Sequence, residues 1–226
     1  MQLPNLVTPL ALPELAVAFN AAWRALFGVS PSRNTVLTLL AQTAHQTGQW
    51  STVHAFNIAA ISSEEGDGRD FTFHRCRKMQ PNGASVWVEP PAKGTRFRAY
   101  RTLLEGAIDH LAFLRKNYAA AWSPLVEGKP RAFVAALKGS GYFPEGEATY
   151  ARSVGVLFGA YNARLPLLVP ELELDALSER VQRLVAMTLH DLEPAAVPLL
   201  ELVDDLEPVV HDTEPAPPPS LDDDDL

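Results

Sequence analysis

The stretch A-Q-T-A-H-Q-T-G-Q-W, residues 41–50, decides how the rest of the chain is read. It closes an apolar segment in which Val36, Leu37, Leu40 and Ala44 recur at helical spacing, with Ser32 or Asn34 as the cap that starts it. Gly48 can stop this helix in a left-handed conformation, so Gln46 falls in its last turn. A helix end followed at once by Trp50 has the form of the mouth of a site. Yet the ten residues hold no carboxylate, and an amide stands where an acid would be useful.

Outward from this point the pattern is helix, a short β-excursion, then helix again. Residues 12–28 form an expected helix, with Pro13 in its first turn, Leu15, Phe19, Ala22 and Leu26 on one stripe, and Gly28 at its end. Residues 51–69 read as irregular, with a turn at Glu64-Glu65-Gly66-Asp67-Gly68. Residues 70–74 and 85–88 alternate like strands on either side of Pro81-Asn82-Gly83, a hairpin signal, and residues 95–100 suit a further short strand or extended edge. Thr102-Leu103-Leu104-Glu105 is a capping box that opens a helix expected to run to about Trp122. A shorter helix over 130–138, closed by Gly139, and another over 147–162 with Tyr150, Val154, Leu157, Phe158 and Tyr161 facing inward complete the body. The expected fold class is α+β, mostly helical, with a small β-hairpin lobe as one wall of a groove.

Composition bounds the function. A chain of 226 residues, 47% hydrophobic and 20% charged, suits one globular domain with an appendage. Residues 191–226 hold 12 Asp/Glu, seven prolines and no Lys/Arg, whereas residues 1–190 carry a net +4. The expected organisation is therefore a domain over 1–165, an amphipathic helix within 166–190 and an acidic, Pro-rich, mostly disordered tail over 191–226. The tail either solubilises or docks the protein to an assembly. No apolar run approaches the ~18 residues of a membrane span. The N-terminus lacks a basic and then apolar leader, so synthesis is expected in the cytoplasm without a secretory signal. Cys76 is the sole cysteine, and no C-x-x-C or H-E-x-x-H pattern occurs, so neither disulfide, metal nor cofactor is expected. No P-loop, G-x-G-x-x-G or dense basic stripe points to nucleotide or nucleic acid.

Several motifs occur in a fixed order: Ala41-Gln42-Thr43-Ala44-His45-Gln46-Thr47-Gly48, Asn57-Ile58-Ala59-Ala60-Ile61-Ser62, Phe97-Arg98-Ala99-Tyr100, Gly141-Tyr142 and Tyr150-Ala151. Over residues 35–162 this ordered set resembles the glucosaminidase family of peptidoglycan hydrolases, part of the lysozyme-like superfamily. The resemblance implies a lysozyme-like domain and a peptidoglycan glycan strand as ligand. It places Gln46 at the position of the family's general acid Glu, and Ala59-Ala60 and Ser62 where the family has Gly-Asn and Lys. A carboxamide has no proton to give at neutral pH, whereas glycoside cleavage requires a carboxylic acid.

The resulting expectation is a glucosaminidase-like module, catalytically inactive, that binds peptidoglycan or serves as a structural part of a phage-tail-like, virion or secretion particle. The alternative is an active N-acetylglucosaminidase using a substitute acid. Candidate second carboxylates are Glu64, Glu65, Asp67 and Asp70 in the loop and β-lobe, with His45 and His54 as weaker substitutes. Candidate substrate-binding residues are Gln46, Trp50, Asn57, Arg96, Arg98, Tyr100, Tyr142 and Tyr150.

Overall fold

The structure, a computed structural model, describes residues 1–79, 84–92, 94–144 and 146–165. The helix expected within 166–190, the acidic tail and the Asn82-Gly83 turn lie outside the described residues.

Helix α1 (Leu12–Phe27) starts with proline in its first turn and ends at Gly28, whose φ of 73° is the left-handed cap that glycine supplies without strain. Its expected stripe of Leu15, Phe19, Ala22 and Leu26 is buried. Helix α2 (Arg33–Gln46) is capped by Ser32, whose hydroxyl accepts from the Thr35 amide at 3.1 Å. Every residue from Thr35 to Ala44 is buried, so α2 is the central helix rather than a surface amphipathic one. Its buried hydroxyls satisfy themselves on the backbone: Thr38 Oγ1 donates to Asn34 O at 2.7 Å, Thr43 Oγ1 to Leu39 O at 2.9 Å.

Helix α3 (Leu103–Asn117) opens at the expected cap, with Thr102 Oγ1 accepting from the Glu105 amide at 3.2 Å. The Glu105 carboxylate accepts from the amide of Arg101 at 2.9 Å, one residue upstream of the ideal box. The single helix expected up to Trp122 is instead two. Tyr118 leaves helical geometry at φ −133°, and α4 (Ala119–Val126) begins beyond it. This turn lets the Tyr118 ring meet Tyr142 edge-on at 4.8 Å and lets Trp122 stack on Trp23 at 5.4 Å. Helices α5 (Pro130–Gly139) and α6 (Glu147–Arg164) follow, and α6 buries Tyr150, Val154 and Tyr161 while Leu157 and Phe158 are partly buried.

The β-lobe consists of two antiparallel pairs nested in sequence. Strand β1 (Phe71–Phe73) pairs with β4 (Arg96–Arg98) in the register Thr72↔Phe97. Strand β2 (Cys76–Met79) pairs with β3 (Ser85–Val88) in the register Arg77↔Trp87. The hairpin expected between residues 70–74 and 85–88 therefore uses a different outgoing strand. Phe71 and Phe73 belong to the base of the lobe.

The chain's first residues tie this base to the helical body. Leu3 N donates to Phe71 O at 2.7 Å, Ala55 N to Leu6 O at 2.8 Å, and Thr8 N to Val53 O at 2.8 Å. A stack of rings lies alongside: His54 on His74 at 4.0 Å and His74 on Phe97 at 4.0 Å. His54 Nδ1 sits 2.6 Å from Asn5 Oδ1. Burial, with the neighbouring His74 second, lowers the His54 pKa to about 4; burial also lowers that of His74. Each folded-state value lies below the unfolded one, so these histidines cost nothing near neutrality. As the pH falls from about 6.5 towards 4, the unfolded chain takes up protons that the folded chain refuses, and stability is lost. His110, fully buried, is lowered to about 4 by burial and acts in the same window. Thermal melts between pH 7 and 4.5 are expected to show a falling midpoint. The variant His54→Gln should remove part of that fall and leave the His110 share. Because His54 is only half-buried, screening holds its share to about 1–2 kcal/mol. An unchanged slope in His54→Gln would assign the whole effect elsewhere.

Candidate functional site

A groove of about 560 Å³ opens between the helical body and the β-lobe, within the size range of ligand sites. Several separate pieces of chain build it. The last turn of α2 supplies Gln46. The loop after it supplies Ala59, Ala60, Ile61 and Ser62. The turn before β1 supplies Glu64, Asp67 and Arg69, with Arg98 from β4. Helix α3 contributes Asp109, Phe113 and Lys116, spaced so that one helix face lines the groove, and Tyr142 closes one end.

Gln46 occupies the wall at the position the sequence singled out. Its Nε2 donates to the Tyr150 hydroxyl at 3.0 Å. Behind it runs a buried polar chain. His110 Nε2 lies 3.1 Å from Gln42 Oε1, and Gln42 Nε2 donates to the Tyr142 hydroxyl at 2.8 Å. The lowered His110 pKa keeps the ring neutral, with Nε2–H as donor to the amide oxygen. Tyr142 has its pKa raised by burial first and by the nearby Tyr150 second, so it stays a phenol. Among the described residues, the groove wall at this end is thus made of amide and phenol groups and carries no carboxyl.

Among the described residues, three carboxylates line the groove, in three different states. Asp109 is 1% exposed and is held by Arg69, by Arg98 Nη1 at 2.7 Å and by the Tyr100 hydroxyl at 2.5 Å. Burial alone would lower the Arg98 pKa, but the Asp109 carboxylate overrides it and raises it. Burial, followed by the Asp109 charge, pushes the Tyr100 phenol well above its usual range. Asp67 accepts from the amides of Arg69 at 3.0 Å and Glu64 at 3.2 Å and from the Ser63 hydroxyl at 3.0 Å. Partial burial would raise its pKa. Those hydrogen bonds, with the charge of Arg98, prevail and lower it, so Asp67 is ionised at neutral pH. Glu64 is exposed, and its carboxylate makes no hydrogen bond or ion pair among the described residues.

The other sequence candidates are placed elsewhere. Trp50 is 4% exposed, stacks on Tyr161 at 5.2 Å and donates from Nε1 to Thr43 Oγ1 at 3.2 Å: it fills the core instead of facing a sugar. Asn57 is buried and serves as a loop staple. Its Nδ2 donates to Ile61 O and Arg98 O at 2.9 Å, and its Oδ1 accepts from Ile61 N at 2.9 Å. Tyr100 and Tyr150 are buried behind the groove wall, where they hold Asp109 and Gln46. Arg96 lies over the Phe71 ring at 3.8 Å, outside the groove. Asp70 pairs with Arg101 at 3.7 Å, Glu65 is exposed, and neither lines it. His45 turns away from the groove, with Nδ1 2.8 Å from Ser153 Oγ. Of the candidates, Gln46, Glu64, Asp67, Arg98 and Tyr142 are brought together. Gln42, Asp109 and His110 were missed, although an Asp-His pair inside the apolar run Ala107-Ile108-Asp109-His110-Leu111 signals buried, partnered polar groups.

The loop that faces Gln46 carries a strained residue. Ala60, exposed on the groove, has φ 51°, a left-handed geometry that costs an L-residue about 1–2 kcal/mol. The resemblance puts asparagine here, a residue that tolerates this conformation. Ala60→Gly is expected to stabilise the fold by about 1 kcal/mol, the strain relief exceeding the added chain entropy, and a urea titration reads it directly. A lower midpoint would show that the loop is relaxed in solution.

A solved structure of a peptidoglycan hydrolase mutant from Sphingomonas sp. A1 superposes on this chain with a TM-score of 0.51 at 22% identity, over 69% of this chain and 98% of that one. The chain shares the fold of that structure. The glycoside hydrolase domain from Salmonella typhimurium FlgJ matches at 20% identity and TM-score 0.45, over 80% of this chain and 96% of that one. The catalytic domain of the autolysin Auto from Listeria monocytogenes matches at 15% identity and TM-score 0.45, over 70% and 88%. No protein-family model matches the sequence, and no curated protein matches it. In this fold, mostly helical with two small antiparallel sheets, the groove lies between the body and the lobe. Among the described residues no helix is long and apolar enough to cross a membrane.

Proposed function

We propose that the chain is a glucosaminidase-like module that holds a peptidoglycan glycan strand in this groove without cleaving it, as a binding or adaptor part of a larger assembly. One observation carries the reading: the helix-end position that faces the groove is an amide, Gln46, whose N–H is already engaged by Tyr150. Glycoside cleavage needs a protonated acid beside the leaving oxygen, generally one with a raised pKa. Asp109 is clamped by two guanidiniums, and Asp67 is held ionised, so neither serves. What remains suits binding: an amide, a phenol and an arginine pair held by Asp109 present hydrogen-bond groups to sugar hydroxyls and acetamides. The test is co-sedimentation with purified sacculi alongside turbidity. The protein is expected to sediment with sacculi and leave turbidity unchanged, and Gln46→Ala should weaken sedimentation.

A second reading is favoured by Glu64, a groove carboxylate without a partner among the described residues. In that reading the chain is an active N-acetylglucosaminidase with Glu64 as substitute acid. The unaltered protein would then release muropeptides, and Glu64→Gln would abolish that release. Attachment to a particle through residues 191–226 is a further part of the first reading. Deleting them should remove the protein from any large complex it co-purifies with.

A further inference from the structure

The β2–β3 pair is a projecting ribbon. Strands β2 and β3 pair with each other, and no helix packs extensively on either. An isolated two-stranded ribbon is marginal in water, and this one has little apolar backing. Side chains alternate across it, so the register puts Arg77 and Trp87 on one face and Lys78 and Val86 on the other, and Arg75, just before β2, reaches the Trp87 ring. Trp87 is 55% exposed and Val86 38%. The Arg75 guanidinium lies 4.5 Å from the Trp87 ring centre and that of Arg77 5.5 Å.

Both faces thus combine an exposed apolar side chain with cations. A ribbon that packed on the body would keep one face dry and the other polar. Stacking on the indole holds two like charges close together and leaves their in-plane N–H groups open to an oxyanion. Arg75, Arg77 and Lys78 make no ion pair among the described residues. Glu89, just past β3, is the one acid in the sequence from Arg75 to Glu89 and leaves this segment net positive.

We infer that this ribbon docks on an anionic lipid surface, with Trp87 and Val86 at headgroup depth and Arg75, Arg77 and Lys78 on lipid phosphates. Tryptophan favours the membrane–water interface because one part of its ring is apolar and its N–H is wet. The apolar residues on both faces select a bilayer over a dissolved polyanion, which would engage the cations and leave Val86 in water. The Debye length of about 8 Å at physiological salt confines the attraction to the ribbon's own charges. The inference is independent of whether the groove binds or cleaves glycan.

The test uses the full chain with vesicles of equal parts phosphatidylglycerol and phosphatidylcholine, vesicles of phosphatidylcholine alone, and purified sacculi. Each cation near an anionic surface contributes about a fivefold gain in partitioning. Arg75→Gln/Arg77→Gln is therefore expected to weaken binding to the anionic vesicles about 25-fold. Trp87→Ala should weaken it at both low and high salt, and Lys129→Gln, an exposed cation off the ribbon, should leave it unchanged. Matching thermal midpoints exclude misfolding. Three outcomes overturn the inference: no binding to anionic vesicles at 50 mM salt, equal binding to both vesicle types, or ribbon-dependent binding to sacculi alone.

Discussion

Replacing Asp109 by alanine is expected to destabilise the protein by about 3–5 kcal/mol, the cost of breaking a buried ion pair by removing one partner. The physical reason is what stays behind. Arg69 and Arg98 both lean on the Asp109 carboxylate, and the buried Tyr100 donates its hydroxyl to it. Without it, two guanidiniums face each other across a low-dielectric wall with no anion between them. For a chain of this size each kcal/mol moves the melting point by about 2–4 °C, so a fall of roughly 6–20 °C is expected. Asp109→Asn keeps acceptor oxygen for Tyr100 and should lose less. The pair of variants separates charge from shape. The groove responds too, because Arg98 reaches it only as far as Asp109 holds it. A melting point for Asp109→Ala within 2 °C of the parent would mean that the clamp forms no part of the folded protein's support.

Restoring a carboxylate by Gln46→Glu is expected to leave hydrolysis of purified sacculi at background, far short of the 10²–10⁴-fold that a functional general acid contributes. Two features of the site explain why one atom is not enough. The Tyr150 hydroxyl, 3.0 Å from the Gln46 amide nitrogen, would hydrogen-bond to a carboxylate at this position and favour its charged form. A general acid needs the opposite. Facing it, Ala59, Ala60 and Ser62 line the groove where the resemblance puts Gly, Asn and Lys. A gain of a thousandfold in Gln46→Glu would show that the loop changes are silent and that a single proton separates this chain from an enzyme.

The helical body was legible because its signals are local. Pro13 and Gly28 bracket α1 by their own backbone geometry, while Ser32 at α2 and Thr102 with Glu105 at α3 satisfy backbone amides a few residues away. The β-lobe was only half legible. Phe71 and Phe73 alternate strongly and drew the hairpin towards themselves, whereas Cys76-Arg77-Lys78-Met79 shows no apolar alternation because its strand projects into solvent and has no core face to mark. The break at Tyr118 had no glycine or proline to announce it; it is set by ring packing with Tyr142 and by the Trp23–Trp122 stack, partners far away in sequence. The same limit applies to the site. Gln46 was found from its place at a helix end. Asp109 was passed over because its meaning comes from Arg69, forty residues upstream, and Arg98 on strand β4. Trp50 looked like a sugar platform, but a left-handed turn at φ 63° swings it inward onto Tyr161.

The central claim is that no side chain facing this groove delivers a proton to a glycosidic oxygen. Its most direct test is quantitative muropeptide analysis of purified sacculi incubated with the unaltered protein, run beside Glu64→Gln. The account predicts that neither protein releases soluble muropeptides above the no-protein control while both sediment with the sacculi. Release by the unaltered protein that disappears in Glu64→Gln would contradict it and make Glu64 the acid.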